Sequence, residues 1–455
     1  MGRLFGTDGV RGIANSELTP NLAFNLGKAG TYVLKKEKER PVVLIGKDTR
    51  ISGDMLEEAL AAGVLSMGGD VIRLGIIPTP AVAYLVRYYR ADMGVVITAS
   101  HNPFEYNGIK IFKGDGFKLE DETEDQIEDI IVRDIDINSH IVGEKMGKAL
   151  DGQENAQLAY AEFLKAAMRK GEESRLPLEG LRLVIDCANG ASYKVAERVF
   201  RDLGAELTVI GNTPDGMNIN DACGSTHPER LQNEVIKRGA DLGLAFDGDA
   251  DRLIAVDEKG RLMDGDKVVC ICAKMLKAKG ELVHDLVTAT VMSNIGFHKA
   301  CAAMGAKVDV TGVGDRYVLE SMRKSGGIIG GEQSGHIIFL NHTTTGDGIL
   351  SGLMLIKAVR FLGRKASELS DEIMSFPQVL KNASVKNENK NKYAKDPEIR
   401  SEMERIEEEM AGSGRVLIRP SGTEPLVRVM IEGPDIEEIT ELAEGLAMLI
   451  TRKFG

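Results

Sequence analysis

Two runs of five apolar residues, Met93 to Ile97 (MGVVI) and Leu242 to Phe246 (LGLAF), constrain this chain most. Neither alternates apolar with polar residues, so neither can lie with one face in water. Each is too short for a buried helix and reads as a strand covered on both faces, as in the parallel sheets of α/β proteins. The flanking sequence keeps the same rhythm. Val42 to Ile45 runs into Gly46-Lys-Asp-Thr-Arg50, after which Ser52 is placed to cap a helix reaching Met67. Val71 to Ile77 reads as a strand followed by a Pro78-Thr-Pro80 turn, and residues 120–133 form an acidic amphipathic stretch. The pattern restarts at Leu181 to Ile185, with an Asn189-Gly190 turn and a helix around 192–203, then at Leu286 to Val291 and at Val308 to Val310.

This organisation predicts three α/β domains over residues 1–150, 151–255 and 256–375. The character then changes. A Lys- and Asn-rich stretch precedes a charged helix, Pro397 to Met410. Val416 to Ile418 and Val427 to Ile431 flank a loop, and a helix follows over about 436–452, which predicts a smaller α+β domain over 376–455. In α/β sheets ligands bind beyond the carboxyl ends of strands. The residues that follow MGVVI and LGLAF occupy that position.

Composition narrows the partners. A net charge of −12, no Trp and 5% aromatics argue against a nucleic-acid binder, which needs a basic face and stacking platforms. The expected partner is a small molecule. Five cysteines without a metal-ligand motif read as free thiols in a reducing compartment. No apolar run approaches the ~20 residues needed to cross a bilayer, and the opening MGRLFGTDG has no apolar signal core. The sequence therefore predicts a soluble, cytoplasmic protein that does not engage a membrane.

Four polar segments carry the chemistry. Thr98-Ala-Ser100-His-Asn-Pro103 ends the first apolar run, and its serine is a candidate nucleophile or a simple turn residue. Lys110, in the downstream Asn107-Gly-Ile-Lys, could activate that serine or stabilise phosphoryl charge. Asp247-Gly-Asp249-Ala-Asp251-Arg252 ends the second run. Three clustered carboxylates repel one another unless a hard divalent cation joins them, and oxygen-only ligands point to Mg²⁺. The three aspartates also match positions 1, 3 and 5 of an EF-hand, with Glu258 at position 12. Arg252 at the glycine position and strand-like flanks exclude that reading. Gly331-Glu332-Gln333-Ser334-Gly-His336 offers the mixed donors and acceptors that sugar hydroxyls require, or is an ordinary turn. Arg419-Pro-Ser421-Gly422-Thr423-Glu-Pro, with Arg428 beyond it, reads as an anion cradle or as a surface turn with solvated arginines. Phe5 to Gly12 adds a flexible loop bearing Arg11.

The ordered set FGTDGVRG, TASHNP, DGDADR, GEQSGH and RPSGTEP resembles the α-D-phosphohexomutase superfamily over nearly the whole chain. Gln333, Val313-Gly-Asp-Arg-Tyr-Val318 and Thr344-Thr-Gly-Asp-Gly348 resemble the branch acting on glucosamine phosphates rather than the phosphomannomutase/phosphoglucomutase branch, which is the alternative. The resemblance implies four domains around a central cleft, the first three with similar topology and mixed, mostly parallel sheets. It implies a phosphoserine at Ser100, and Mg²⁺ bound by Asp247, Asp249, Asp251 and a phosphate oxygen on Ser100. Arg11, Lys110, Arg252 and His336 are then electrostatic or proton-transfer groups. Glu332, Gln333 and Ser334 contact the sugar, and Arg419, Ser421, Gly422, Thr423 and Arg428 the phosphate that is not transferred. The implied reaction interconverts glucosamine 6-phosphate and glucosamine 1-phosphate through a bisphosphate, with hexose 1,6-bisphosphate as activator, toward UDP-N-acetylglucosamine. A monomer or homodimer is expected.

Overall fold

The computed structural model describes the chain except residues 1–3, 7, 36–37, 138–140, 173, 411 and 422–423. It divides into two compact units, Met1–Thr290 with Asp309–Ser370, and Val291–Val308 with Asp371–Gly455.

In the first unit, a six-stranded sheet has the order Val10–Ile13, Tyr106–Lys113, Met93–Ile97, Val42–Lys47, Asp70–Ile76, Ala149–Asp151. The last four strands are parallel, and the first two are antiparallel to their neighbours. A five-stranded sheet repeats the arrangement, with Leu262–Met263, Leu253–Asp257, Leu242–Phe246, Arg182–Asp186 and Glu206–Ile210 in order. Here Leu242–Phe246 runs parallel to Arg182–Asp186 and antiparallel to Leu253–Asp257. A third sheet pairs Leu286–Thr290 in parallel with Ile329–Gly331, which lies antiparallel to Ile337–Phe339.

Both five-residue runs are buried along their whole length, as their lack of alternation requires. Each gives way to a loop and then to an antiparallel return strand. The loops after Ile97 and Phe246 therefore sit where the sheet reverses direction, and these two loops carry Ser100 and the three aspartates.

The second unit contains an antiparallel sheet of Gln378–Ser384, Leu426–Glu432 and Arg415–Pro420. Helices Pro397–Glu409 and Ile436–Phe454 share its core through Ile399, Ile406, Ile439, Leu446 and Ile450, packed with Val427 and Val429. Helix Ile436–Phe454 starts at Asp435, whose side chain accepts from Glu437 N and Glu438 N.

Three local expectations need correction. Ser52 does not cap the helix Gly53–Ser66; its backbone is already helical, and its Oγ accepts from Asn107 Nδ2 at 2.9 Å. Pro78-Thr-Pro80 is not a free turn but the start of helix Thr79–Tyr88, where a proline in the first turn sacrifices no hydrogen bond. The Arg11 segment is a strand, Val10–Ile13, because its partner Tyr106–Lys113, distant in sequence, satisfies its backbone.

All five cysteines are buried free thiols. Among the described residues no helix is long and apolar enough to cross a membrane.

Candidate active site

Ser100 is buried in the first unit, and its Oγ donates to Asp247 Oδ2 at 2.6 Å. Asp247 Oδ1 accepts from Arg252 N at 3.1 Å, which folds the aspartate loop back on itself. Ala250 lies in the left-handed region at φ +58°, so the loop turns tightly enough to bring alternate aspartates together. Ligand oxygens of Asp247, Asp249 and Asp251 lie within 4.8 Å of one another. The close approach needs glycine at position 248, where a Cβ would stand 2.6 Å from Ser100 O.

Asp249 Oδ2 accepts from Thr79 Oγ1 at 2.7 Å and from Lys110 Nζ at 2.9 Å. Asp249 Oδ1 and Asp251 Oδ1 are buried without hydrogen-bond partners. A buried bare carboxylate oxygen is costly, and two of them beside a third aspartate fit a hard cation. Burial, and then the charges of Asp249 and Asp251, push Asp247 well above the usual carboxylate range. A cation at the three oxygens removes that repulsion. The residues present therefore suit a divalent metal.

Around the aspartates, acidic side chains alternate with Lys110, Lys118 and His336 in a closed ring. Lys110 Nζ lies 2.9 Å from Asp8 Oδ2 and 3.4 Å from Asp251 Oδ2. Lys118 Nζ lies 2.6 Å from both Asp8 Oδ1 and Asp315 Oδ2. His336 Nε2 is 3.6 Å from Asp315 Oδ2, and its Nδ1 is 3.6 Å from Asp251 Oδ2. Burial works against the charge on Lys110, but Asp249, Asp8 and Asp251 outweigh it and hold the ammonium well above its ordinary range. Burial also works against the Asp251 carboxylate, yet Lys110 keeps it far below its usual value.

His336 is under two opposing demands. Burial lowers its proton affinity, while Asp251, Asp315 and Glu332 raise it to about 9. Yet Nε2 accepts from Gly346 N at 3.0 Å, which only an unprotonated nitrogen can do. The backbone bond describes the neutral ring and is the firmer of the two, because a cation at the aspartates cancels much of the carboxylate pull.

The loop around His336 is tied to the aspartate loop. Arg252 and His336 form an isolated antiparallel bridge, and Leu253 N donates to Gly335 O at 2.9 Å. Arg252 Nε is buried without a hydrogen-bond partner, 3.8 Å from Asp251 Oδ1. Glu332 Oε1 accepts from Gly314 N at 3.1 Å, and Gln333 Nε2 donates to Asp264 Oδ2 at 3.2 Å. Ser334 is exposed. Arg11 reaches Asp8 Oδ2 at 3.3 Å and Asn102 Oδ1 at 3.5 Å, so it lies on the serine loop.

In the second unit, Arg419 and Arg428 are direct cross-strand partners. Like charges placed opposite each other destabilise a sheet, and an anion resolves the conflict. Burial, and then Arg428, lower the proton affinity of Arg419. Arg428 Nη2 meets Glu424 Oε2 at 3.2 Å. Ser421 Oγ accepts from Glu424 N at 3.2 Å, and Lys390 Nζ donates to Ser421 O at 3.1 Å. Gly422 and Thr423 lie outside the described residues.

Within the first unit, then, Ser100, Lys110, Arg252, His336 and the aspartates converge. Reading the sequence did not single out Asp8, Lys118, Asp315, Thr79 or Lys390. Of these, Asp8 lies in FGTDGVRG, Asp315 in the Val313 to Val318 segment and Thr79 between two prolines, whereas Lys118 and Lys390 carry no local signal.

Four family profiles described as phosphoglucomutase/phosphomannomutase match in order: alpha/beta/alpha domains I, II and III over residues 2–136, 159–260 and 264–376, and the C-terminal domain over 380–449. The chain belongs to the phosphoglucomutase/phosphomannomutase family, whose fold combines three α/β domains with a smaller C-terminal domain. Among full-length relatives, the phosphoglucosamine mutase of Thermoanaerobacter sp. is 58% identical over 455 residues, covering 100% of both chains. That of Clostridioides difficile is 56% identical over 456 residues, again with 100% coverage of both. Among solved structures, a phosphoglucomutase/phosphomannomutase family protein from Burkholderia thailandensis aligns at a TM-score of 0.80, with 22% identity and 98% of each chain covered. Aspergillus fumigatus N-acetylphosphoglucosamine mutase, in complex with GlcNAc-6P and magnesium, aligns at 0.71 with 18% identity, covering 99% of this chain and 96% of that one.

Proposed function

We propose that this chain interconverts glucosamine 6-phosphate and glucosamine 1-phosphate, the activity for which its full-length relatives are named. The observation that carries the chemistry is Ser100 Oγ on Asp247, beside the bare oxygens of Asp249 and Asp251. Phosphorylated Ser100 gives its phosphoryl group to one sugar hydroxyl, and the bisphosphate then returns its other phosphoryl group to Ser100. A hexose 1,6-bisphosphate activator would charge the serine first.

Asp247, Asp249 and Asp251 are suited to hold Mg²⁺ together with a phosphate oxygen on Ser100. Bound there, the ion supplies charge neutralisation to the phosphoryl oxygens. Phosphoryl transfer depends on positioning and charge stabilisation more than on covalent help. Lys110, whose Nζ lies 2.9 Å from Asp249 Oδ2, is assigned to the phosphoryl oxygens. Arg11 and Arg252 add positive charge. His336, with Nδ1 3.6 Å from Asp251 Oδ2 and Nε2 3.6 Å from Asp315 Oδ2, is the group assigned to the sugar hydroxyl's proton. Glu332, Gln333 and Ser334 are assigned to the sugar. The facing Arg419 and Arg428, with Ser421, Gly422 and Thr423, are assigned to the phosphate that stays in place. A small sugar phosphate is the partner, in a cytoplasmic monomer or homodimer.

Parallel assays with glucosamine, mannose and glucose phosphates test this reading. One polar contact at the C2 substituent is worth about 0.5–1.5 kcal/mol, so preference should be graded. The highest kcat/KM is expected for glucosamine phosphate, with weaker activity on the others. A mannose 1-phosphate value equal to or above the glucosamine 1-phosphate value moves the chain to the phosphomannomutase/phosphoglucomutase reading.

A further inference from the structure

Ser100 occupies the left-handed region at φ +52°, which an L-residue with a side chain adopts only under constraint. The constraint is visible. Its N–H donates to Thr98 Oγ1 at 3.0 Å, and the Thr98 hydroxyl donates to Asp48 Oδ2 at 2.6 Å. Its carbonyl accepts from Arg50 Nη2 at 3.0 Å, and Arg50 Nε donates to the same Asp48 Oδ2 at 2.9 Å. One carboxylate thus governs both ends of the Ser100 residue. The Arg50 fork also reaches Asn102 O at 2.8 Å and Pro103 O, so it grips the loop at three carbonyls. From the next α/β segment, Asn220 Nδ2 donates to Ser100 O at 2.9 Å and to Asn102 O at 3.2 Å. The Asp48 and Arg50 side chains are wholly shielded from solvent. They cannot meet a substrate and can act only through the loop.

We propose that Asp48, Arg50, Thr98 and Asn220 are positioning residues that hold Ser100 Oγ as a fixed point for phosphoryl transfer. The inference rests on the mutase reading. In that reaction the sugar bisphosphate reorients while the serine must present the same oxygen to two different sugar hydroxyls. A serine free to leave the left-handed region would swing its Cβ, and with it Oγ, away from Asp247. Misplacement of a reacting atom by an ångström costs on the order of a hundredfold in rate. Arginine suits the task because its planar fork spends its donors on several carbonyls at once, which a lysine ammonium on a flexible stem cannot do.

The test pairs Thr98→Val with Thr98→Ser, and adds Asn220→Ala and Arg50→Lys. Intact-protein mass spectrometry follows uptake of one phosphate from glucose 1,6-bisphosphate, alongside steady-state kcat and KM for glucosamine 6-phosphate and thermal melts. The expected result is phosphorylation and kcat at least about tenfold slower in Thr98→Val and Asn220→Ala, with KM changed less than about threefold. Thr98→Ser should recover most of the rate because it keeps the hydroxyl relay, while Arg50→Lys should not recover. Wild-type phosphorylation rates in both Thr98→Val and Asn220→Ala overturn the positioning role and leave the mutase reading standing. Losses that track lowered melting temperature and raised KM together overturn it in favour of a structural role. A wild-type protein that takes up no phosphate overturns the mutase reading, and this inference with it.

Discussion

Ser100 Oγ donates to Asp247 Oδ2 at 2.6 Å across 147 residues of chain. Burial of Asp247 among like charges raises its affinity for a proton, so the bond joins a hydroxyl to a carboxylate that is itself poorly solvated. Ser100→Ala should fold and melt within a few degrees of wild type, yet lose mutase turnover by at least about a thousandfold. A coupled assay beside a circular-dichroism melt decides it. Retention of more than a tenth of kcat would remove Ser100 from the reaction.

The bare oxygens of Asp249 and Asp251 predict dependence on a divalent cation. Chelator should abolish activity and Mg²⁺ should restore it. Ca²⁺, with longer and looser coordination, should restore it poorly. Calorimetric titration of the metal-free protein gives a second readout, in which Asp249→Asn should weaken Mg²⁺ binding by about tenfold or more. Full turnover in excess chelator rules out a catalytic metal.

The facing guanidiniums of Arg419 and Arg428 predict a shared effect on both substrates. Arg419→Ala removes one charge-assisted contact, worth roughly 1.5–3 kcal/mol, or about 10- to 150-fold in KM. The increase should appear for the 1-phosphate and the 6-phosphate alike, measured in both reaction directions. An increase confined to one isomer would tie the pair to a single orientation of the sugar.

Asp347 carries a pH signature of its own. It caps helix Gly348–Leu362 through Leu350 N and accepts from Tyr160 OH at 2.7 Å, but burial raises its pKa to about 6. A folded-state value above the unfolded one means the fold prefers the protonated acid. Its stability contribution is complete below the unfolded pKa of about 3.9 and fades as pH rises through about 6. Two pH units correspond to about 3 kcal/mol. Asp347→Asn, which stays neutral, should therefore gain on wild type between pH 4 and 7 in urea unfolding. Parallel pH profiles for the two proteins contradict this assignment.

The serine and aspartate loops were legible because each is continuous in sequence and follows an unbroken apolar run. Strand Val10–Ile13 was not, since four residues including Gly12 gain strand character only from pairing with Tyr106–Lys113. The charge ring was equally hidden. Lys118 meets Asp8 and Asp315 across 110 and 197 residues, and a lysine after phenylalanine carries no mark of that role. The segment Val313 to Val318 entered the sequence reading only as a resemblance. In the structure Gly314 N orients Glu332, and Asp315 closes the ring.

The Asp48 hub also bears on how this activity can be inherited. A graft of Thr98 to Pro103 onto another sheet would carry the serine without the carboxylate that governs both ends of it, or the amide that Asn220 brings from the following segment. The six-residue stretch is thus not a portable cassette. Chimeras built by exchanging the α/β segments of two relatives should keep a competent nucleophile only where Asp48, Arg50 and Asn220 travel as one heritable set.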